Sequence, residues 1–263
     1  RSRVLHEPYG VVLVIAPWNY PFLLLLEPLI GAVSAGNCVL LKPSPFAPTT
    51  TGVIREIVDS VFEPGHVAVF EGDGEVVEEL LRERFDYIFF TGGSRFGRHV
   101  MEAAARHLTP VTLELGGKSP CIVGREADLE IAARRVVWGK FVNAGQPCVA
   151  PDYVLVHEEQ RTAFVEAMKR AIGRFYGDDP YRSPDYPRIV HRAGTERLAR
   201  LMSSSGQVVI GGEVRIEERY VAPTVLIEVE SDSPVMREEI FGPLLPVLTY
   251  REVGEAIRFV NGR

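Results

Sequence analysis

Residues 9–42, YGVVLVIAPWNYPFLLLLEPLIGAVSAGNCVLLK, decide the fold class. Residues 9–16 form a short, valine-rich apolar run, which suits a strand buried on both faces. Pro17-Trp18-Asn19-Tyr20-Pro21 ends that run, because proline lacks a backbone donor and fixes φ. Residues 22–35 then read as a buried helix, Gly36-Asn37 as its stop, and residues 38–41 as a second strand. Residues 8–26 carry no charge over 19 positions, long enough to be weighed as a membrane span. The prolines in the middle favour a strand, a turn and a buried helix instead.

The alternation continues outward. Pro43, Pro45 and Pro48 form a loop leading to Thr49, Thr50 and Thr51, which suit a helix N-cap. Val53, Ile54, Ile57, Val61 and Phe62 follow at helical spacing. Residues 67–70, 87–90 and 111–115 read as strands, with helices over 75–81 and 96–107 between them. A helix over 129–141, a strand over 153–156 and a helix over 162–176 come next. The last third is expected to mix short strands with Gly and Pro turns. Repeated strand–helix–strand units predict an α/β protein with doubly wound, mostly parallel sheets. A domain boundary falls at Gly116-Gly117, giving domains 1–117 and 118–263. Ligands of such sheets bind beyond the carboxyl ends of the strands, so Asn19, Lys42, Gly92 and Glu114 come under scrutiny.

The composition is that of a globular protein, with 46% hydrophobic and 24% charged residues. A net charge of −6 with no basic block argues against a nucleic-acid partner. Cys38, Cys121 and Cys148 are too few and too scattered for a disulfide framework. They point to a reducing, cytoplasmic setting. No His/Cys/carboxylate cluster has metal-ligand spacing.

Several segments carry chemistry-bearing residues. In Asn143-Ala144-Gly145-Gln146-Pro147-Cys148 a glycine-containing turn can present a thiol to a pocket, although a lone cysteine is more often a small buried hydrophobe. In Glu114-Leu115-Gly116-Gly117-Lys118 a carboxylate after an apolar strand can act as a general base if an apolar cleft holds it. Taken alone, it is more often a solvated strand end. Asn19, fixed between two prolines, can donate to an oxyanion or simply bond its own turn. Thr91-Gly92-Gly93-Ser94-Arg95-Phe96-Gly97 joins a strand to a helix start and can offer amides to phosphate, or be a plain turn. Gly72-Asp73-Gly74 reads as a plain turn. Lys42 ends a strand and can reach a ribose or phosphate, or be an ordinary solvated lysine.

Together these segments resemble the aldehyde dehydrogenase superfamily. The matching stretches are 9–21, 36–44, 89–97, 113–118, 143–153 and the EEIFGP run at 238–243, essentially the whole chain. Ala150-Pro151-Asp152-Tyr153 and Tyr220-Val221-Ala222-Pro223-Thr224 are similar to the class 3 branch, which acts on fatty and aromatic aldehydes. The resemblance implies oxidation of an aldehyde to a carboxylic acid with NAD or NADP. It implies Cys148 as the nucleophile, Glu114 as the base and Asn19 as an oxyanion donor. It assigns the cofactor to Lys42, Trp18, the turn of Gly92, Gly93, Ser94, Arg95, Phe96 and Gly97, and to Glu239 and Phe241. A medium- or long-chain or aromatic aldehyde as partner and a homodimer are also implied. A CoA-acylating enzyme of the same fold is disfavoured by Glu114, since a water-activating base is unhelpful when a thiol resolves the thioester.

Two departures from the family stand out. The chain resembles a member truncated at both ends, with residues 1–8 expected in an oligomerisation hairpin; such a piece could bind nucleotide without turning over. The position after Lys42-Pro43-Ser44 often carries a glutamate for the adenosine ribose, and here it is Pro45. That loss leads to the expectation that both cofactors are used, with efficiencies within about a hundredfold.

Overall fold

The computed structural model describes residues 3, 4 and 7–263. Half of the expected hairpin segment, residues 1, 2, 5 and 6, lies outside the described residues. The chain divides into two compact units, one ending at Gly116 and the other spanning Gly117–Arg263.

In the first unit the order is β1 (Val11–Ile15), α1 (Leu23–Ser34), β2 (Cys38–Lys42), α2 (Pro48–Val61), β3 (Val67–Val69), α3 (Gly74–Leu80), β4 (Tyr87–Gly92), α4 (Ser94–Ala105) and β5 (Val111–Leu115). All five strands are parallel, in the order β3-β2-β1-β4-β5. Alternate side chains of β1 serve opposite faces. Val12 and Val14 pack with Leu25 and Leu29 of α1 and Ile54 and Val58 of α2. Leu13 and Ile15 pack with Val77 and Leu80 of α3 and Val100 and Ala103 of α4. A strand covered by helices on both faces must be apolar throughout, which is why β1 reads as a continuous valine-rich run. The uncharged stretch at 8–26 resolves into β1, a bend and the start of α1, and among the described residues no helix is long and apolar enough to cross a membrane.

The second unit continues with β6 (Pro120–Val123), α5 (Leu129–Phe141), β7 (Tyr153–His157), α6 (Arg161–Tyr176), α7 (Arg192–Ser203), β8 (Gln207–Ile210), β9 (Val214–Arg215), β10 (Tyr220–Val221), β11 (Thr224–Ile227), α8 (Pro234–Arg237), β12 (Leu244–Tyr250) and α9 (Val253–Asn261). Its main sheet has the order β6-β7-β12-β11-β8, parallel except where β8 meets β11. The core gathers Val154 and Val156 of β7, Phe141 of α5, Phe164 and Met168 of α6, and Leu244 and Leu245 of β12.

Four local expectations need correction. The threonines at 49–51 do not cap α2: the helix starts at Pro48, with Ala47 at the cap position, so they fill its first turn. Proline suits that place because its missing N–H would have no helical partner there. The last third is not only strands and turns, since α7 runs for 12 residues with Leu198 and Leu201 buried. The short strand β6 was not anticipated, because Pro120 at its start obscures the pattern. Asp73 does more than turn the chain: its side chain caps α3, accepting from Glu75 N–H at 3.0 Å.

Candidate functional site

In the first unit, the carboxyl ends of the parallel strands collect several of the expected residues. Trp18 and Asn19 lie in the bend after β1, Lys42 is the last residue of β2, and Gly92 is the last of β4. Glu114 sits one residue before the end of β5, paired in register with Thr91. Its carboxylate is exposed rather than sunk in an apolar cleft. This sheet order turns between β1 and β4, the kind of switch point where open α/β sheets bind ligands.

The glycine-rich turn divides by role. Gly93 occupies the N-cap of α4, which has no side-chain cap. A Cβ added there would meet nothing within 4 Å, so the N-terminus of this helix can be approached. Gly93, Ser94 and Arg95 are exposed. Phe96 and Gly97 face the other way: the Phe96 ring lies 5.6 Å from that of Phe90, and a Cβ on Gly97 would fall 2.9 Å from Leu115 Cδ2. Their immediate work is to seat α4 closely on the sheet.

Lys42 is almost fully buried. Its ammonium donates to the carbonyls of Pro43 and Gly72, each at 2.7 Å, and so ties the loop after β2 to the loop after β3. Burial pulls its pKa down, against the opposing influence of Asp73 and Glu71. Those two loops line a cleft of about 180 Å³, with Pro43, Pro45 and Pro48 on one side and Glu71 and Gly72 on the other. Pro45 stands out in the sequence, whereas Glu71, whose chain neighbours carry no motif, does not.

In the second unit, Cys148 sits half-buried in a turn closed by Ala150 N–H donating to Pro147 O at 3.2 Å. The residues before it are unusual. Asn143 and Ala144 both have φ of 50°, and Gly145 has φ of 73°, giving three left-handed residues in a row. The two with a Cβ each bear a cost on the order of 1–2 kcal/mol. Gln146 holds the loop: its Nε2 donates to Asn143 O at 2.9 Å and Arg188 O at 3.2 Å, and its Oε1 accepts from Val190 N–H at 3.0 Å.

Glu239 and Phe241 belong to a neighbouring network organised by Asp152, which the sequence reading did not assign. Asp152 is buried, pairs with Lys118 and lies 3.7 Å from the fully buried Lys140 ammonium. It also accepts from Ile240 N–H at 3.1 Å. Glu239 accepts from Gly117 N–H; burial first, then Asp152, raises its pKa. Arg197, on the unforeseen helix α7, donates to the carbonyls of Glu239 and Ile240. Phe241 has φ of 47°, a further strained non-glycine position. The segments around Gly117, Asp152 and Glu239 thus converge on one buried charge cluster. Only long-range pairing reveals it.

A parallel sheet in the order β3-β2-β1-β4-β5 and a strained loop ahead of a half-buried cysteine define a two-unit α/β protein. More narrowly, the chain belongs to the aldehyde dehydrogenase family, whose family model matches residues 1–263. It is 51% identical over 257 residues to aldehyde dehydrogenase family 3 member B2 of Mus musculus, covering 98% of this chain and 53% of that protein. Among solved structures, the substrate-bound state of Staphylococcus aureus AldH matches with a TM-score of 0.93 and 48% identity, over 98% of this chain and 56% of that one. Mycobacterium tuberculosis aldehyde dehydrogenase complexed with NAD+ matches with a TM-score of 0.89 and 30% identity, over 97% of this chain and 55% of that one. The chain therefore spans about half the length of the relatives it matches.

Proposed function

We propose that this chain carries the cofactor-binding and nucleophile-bearing parts of an NAD(P)-dependent aldehyde dehydrogenase. The observation that carries the reading is the run of three left-handed residues, 143–145, held by Gln146 ahead of a half-buried Cys148. Strain of this kind persists where the surroundings over-determine it, and it clusters at active sites.

The residues present fit a dinucleotide. The N-terminus of α4 has open space beside Gly93, and the cleft after β2 and β3 combines proline surfaces with a carboxylate. Trp18, Lys42, residues 92–97, Glu239 and Phe241 would hold it, Lys42 by fixing the two loops around the cleft. When bound, its nicotinamide supplies the acceptor for a hydride.

In this reading, the Cys148 thiolate adds to the aldehyde carbonyl to form a thiohemiacetal. The Asn19 amide and the Cys148 backbone N–H donate to the oxyanion. Loss of hydride from the adduct leaves a thioester on Cys148. Glu114 takes a proton from water as the water attacks, which releases the carboxylic acid and the thiolate. Its exposure suits access to water. The resemblance of residues 150–153 and 220–224 to the class 3 branch supports a medium- or long-chain aliphatic or aromatic aldehyde as substrate, and three free cysteines support a reducing, cytoplasmic setting. The test is the appearance of reduced cofactor on mixing protein, NAD or NADP and such an aldehyde. No reduction of either cofactor with aliphatic or aromatic aldehydes would reject the reading.

A further inference from the structure

We infer that Glu71 is the residue that selects NAD over NADP, by accepting hydrogen bonds from the adenosine ribose hydroxyls; the inference rests on the proposed function above. Pro45 has no side-chain acceptor. Across the same cleft, at the carboxyl end of β3, Glu71 is the one ionisable side chain of the lining. In dinucleotide folds a carboxylate near the sheet's carboxyl edge reads the ribose 2′-hydroxyl.

The side chain is held for the task. Arg55 of α2 donates through Nε to Glu71 Oε1 at 2.5 Å, and through a second nitrogen to Val69 O at 3.1 Å. The guanidinium is therefore anchored to the strand that leads into Glu71, and it fixes one carboxylate oxygen while the side chain remains half exposed. Lys42 fixes the backbone beside it by donating to Gly72 O. The result is a carboxylate set at a cleft that is otherwise proline, Ser44, Thr51 and Gly72.

The same arrangement discriminates against NADP. A 2′-phosphate would bring two more negative charges towards Glu71, and Arg55, already paired, cannot fully offset them. In Glu71→Gln the Arg55 charge is no longer neutralised and becomes available to that phosphate.

Binding of NAD, NADP and the 2′-deoxyadenosine analogue of NAD to the protein, followed by tryptophan fluorescence and calorimetry, tests this. The wild type should bind NAD about tenfold or more tightly than the deoxy analogue, as expected for a hydrogen bond to a charged group. Glu71→Gln should remove most of that difference while holding or tightening NADP, so the NAD-to-NADP affinity ratio falls at least about tenfold. A wild type indifferent to the 2′-hydroxyl overturns the inference without needing any variant. So does a Glu71→Gln protein that loses NAD and NADP equally, which would make the residue merely structural. If the wild type binds neither dinucleotide, the proposed function falls and takes this inference with it. Binding with the wrong selectivity removes the Glu71 assignment alone.

Discussion

Gly145 lies against the backbone of Gly242: a Cβ built on Gly145 would stand 2.2 Å from the Gly242 carbonyl oxygen and 2.8 Å from Pro243 N. This contact locks the loop that bears Cys148 to the EEIFGP segment that bears Glu239 and Phe241. It explains why a glycine stands there on two counts, the left-handed φ and the absence of room. Gly145→Ala should therefore destabilise the protein by more than about 2 kcal/mol. Urea denaturation measures this, and a change within experimental error would show that the loop relaxes freely.

Cys148→Ala should abolish aldehyde oxidation while leaving dinucleotide binding nearly intact, because the thiol is the proposed nucleophile and the substitution is small. Loss of a covalent nucleophile costs several orders of magnitude in turnover. Steady turnover above about 1% of wild type, set beside unchanged calorimetric binding of NAD, would remove Cys148 from that role.

Glu114→Gln should stall the reaction after hydride loss, since only thioester hydrolysis needs the base. Rapid mixing is expected to show one burst of reduced cofactor followed by slow turnover. A slowed first turnover without a burst would place Glu114 in the earlier step.

Asp152→Ala should be among the most damaging substitutions in the second unit. It would remove the carboxylate that lies 3.7 Å from the buried Lys140 ammonium and strip Ile240 N–H of its acceptor. Breaking a buried pair by removing one partner costs about 3–5 kcal/mol. A shift in urea midpoint equivalent to less than about 1 kcal/mol would mean that Lys140 finds water or another acceptor.

Lys140 also links stability to pH. Burial, its main influence, pushes the pKa down from 10.5 to about 8, with Asp152 opposing. Below pH 8 both folded and unfolded chains hold the proton, and the burial penalty is present in full. Between 8 and 10.5 the unfolded chain binds a proton the folded one has released, so this group's contribution becomes more favourable as pH rises, by about 3 kcal/mol. Tyrosines ionise in the same range, so the wild type is compared with Lys140→Met. The stability difference, wild type minus variant, should climb across this window. A flat difference would mean that the ammonium is solvated in the folded state.

Much of the fold was legible in residues 9–42, because a strand buried on both faces and a helix broken from it by prolines are local patterns. The placement of the motif residues was legible too: Lys42, Gly92 and Glu114 each stand at or next to a strand's carboxyl end and Asn19 in the bend after β1, which follows from where strands stop. The helix α7 was harder to see. Its apolar positions are few, and Arg192, Arg197 and Arg200 mask them, although Leu198 and Leu201 are buried by tertiary contact.

The sequence by itself determined the order of strands and helices in the first unit and the residue types at the candidate site, since these depend on neighbours along the chain. Only the tertiary structure decided which distant groups share a charge or a cleft. Asp152 meets Lys118, Lys140 and Ile240 across as many as 88 positions, and Glu71 meets Arg55 and faces Pro45 across loops from two strands. The physical reason is that hydrogen bonding and burial act through space, and a single chain fixes those distances only once its sheets have formed.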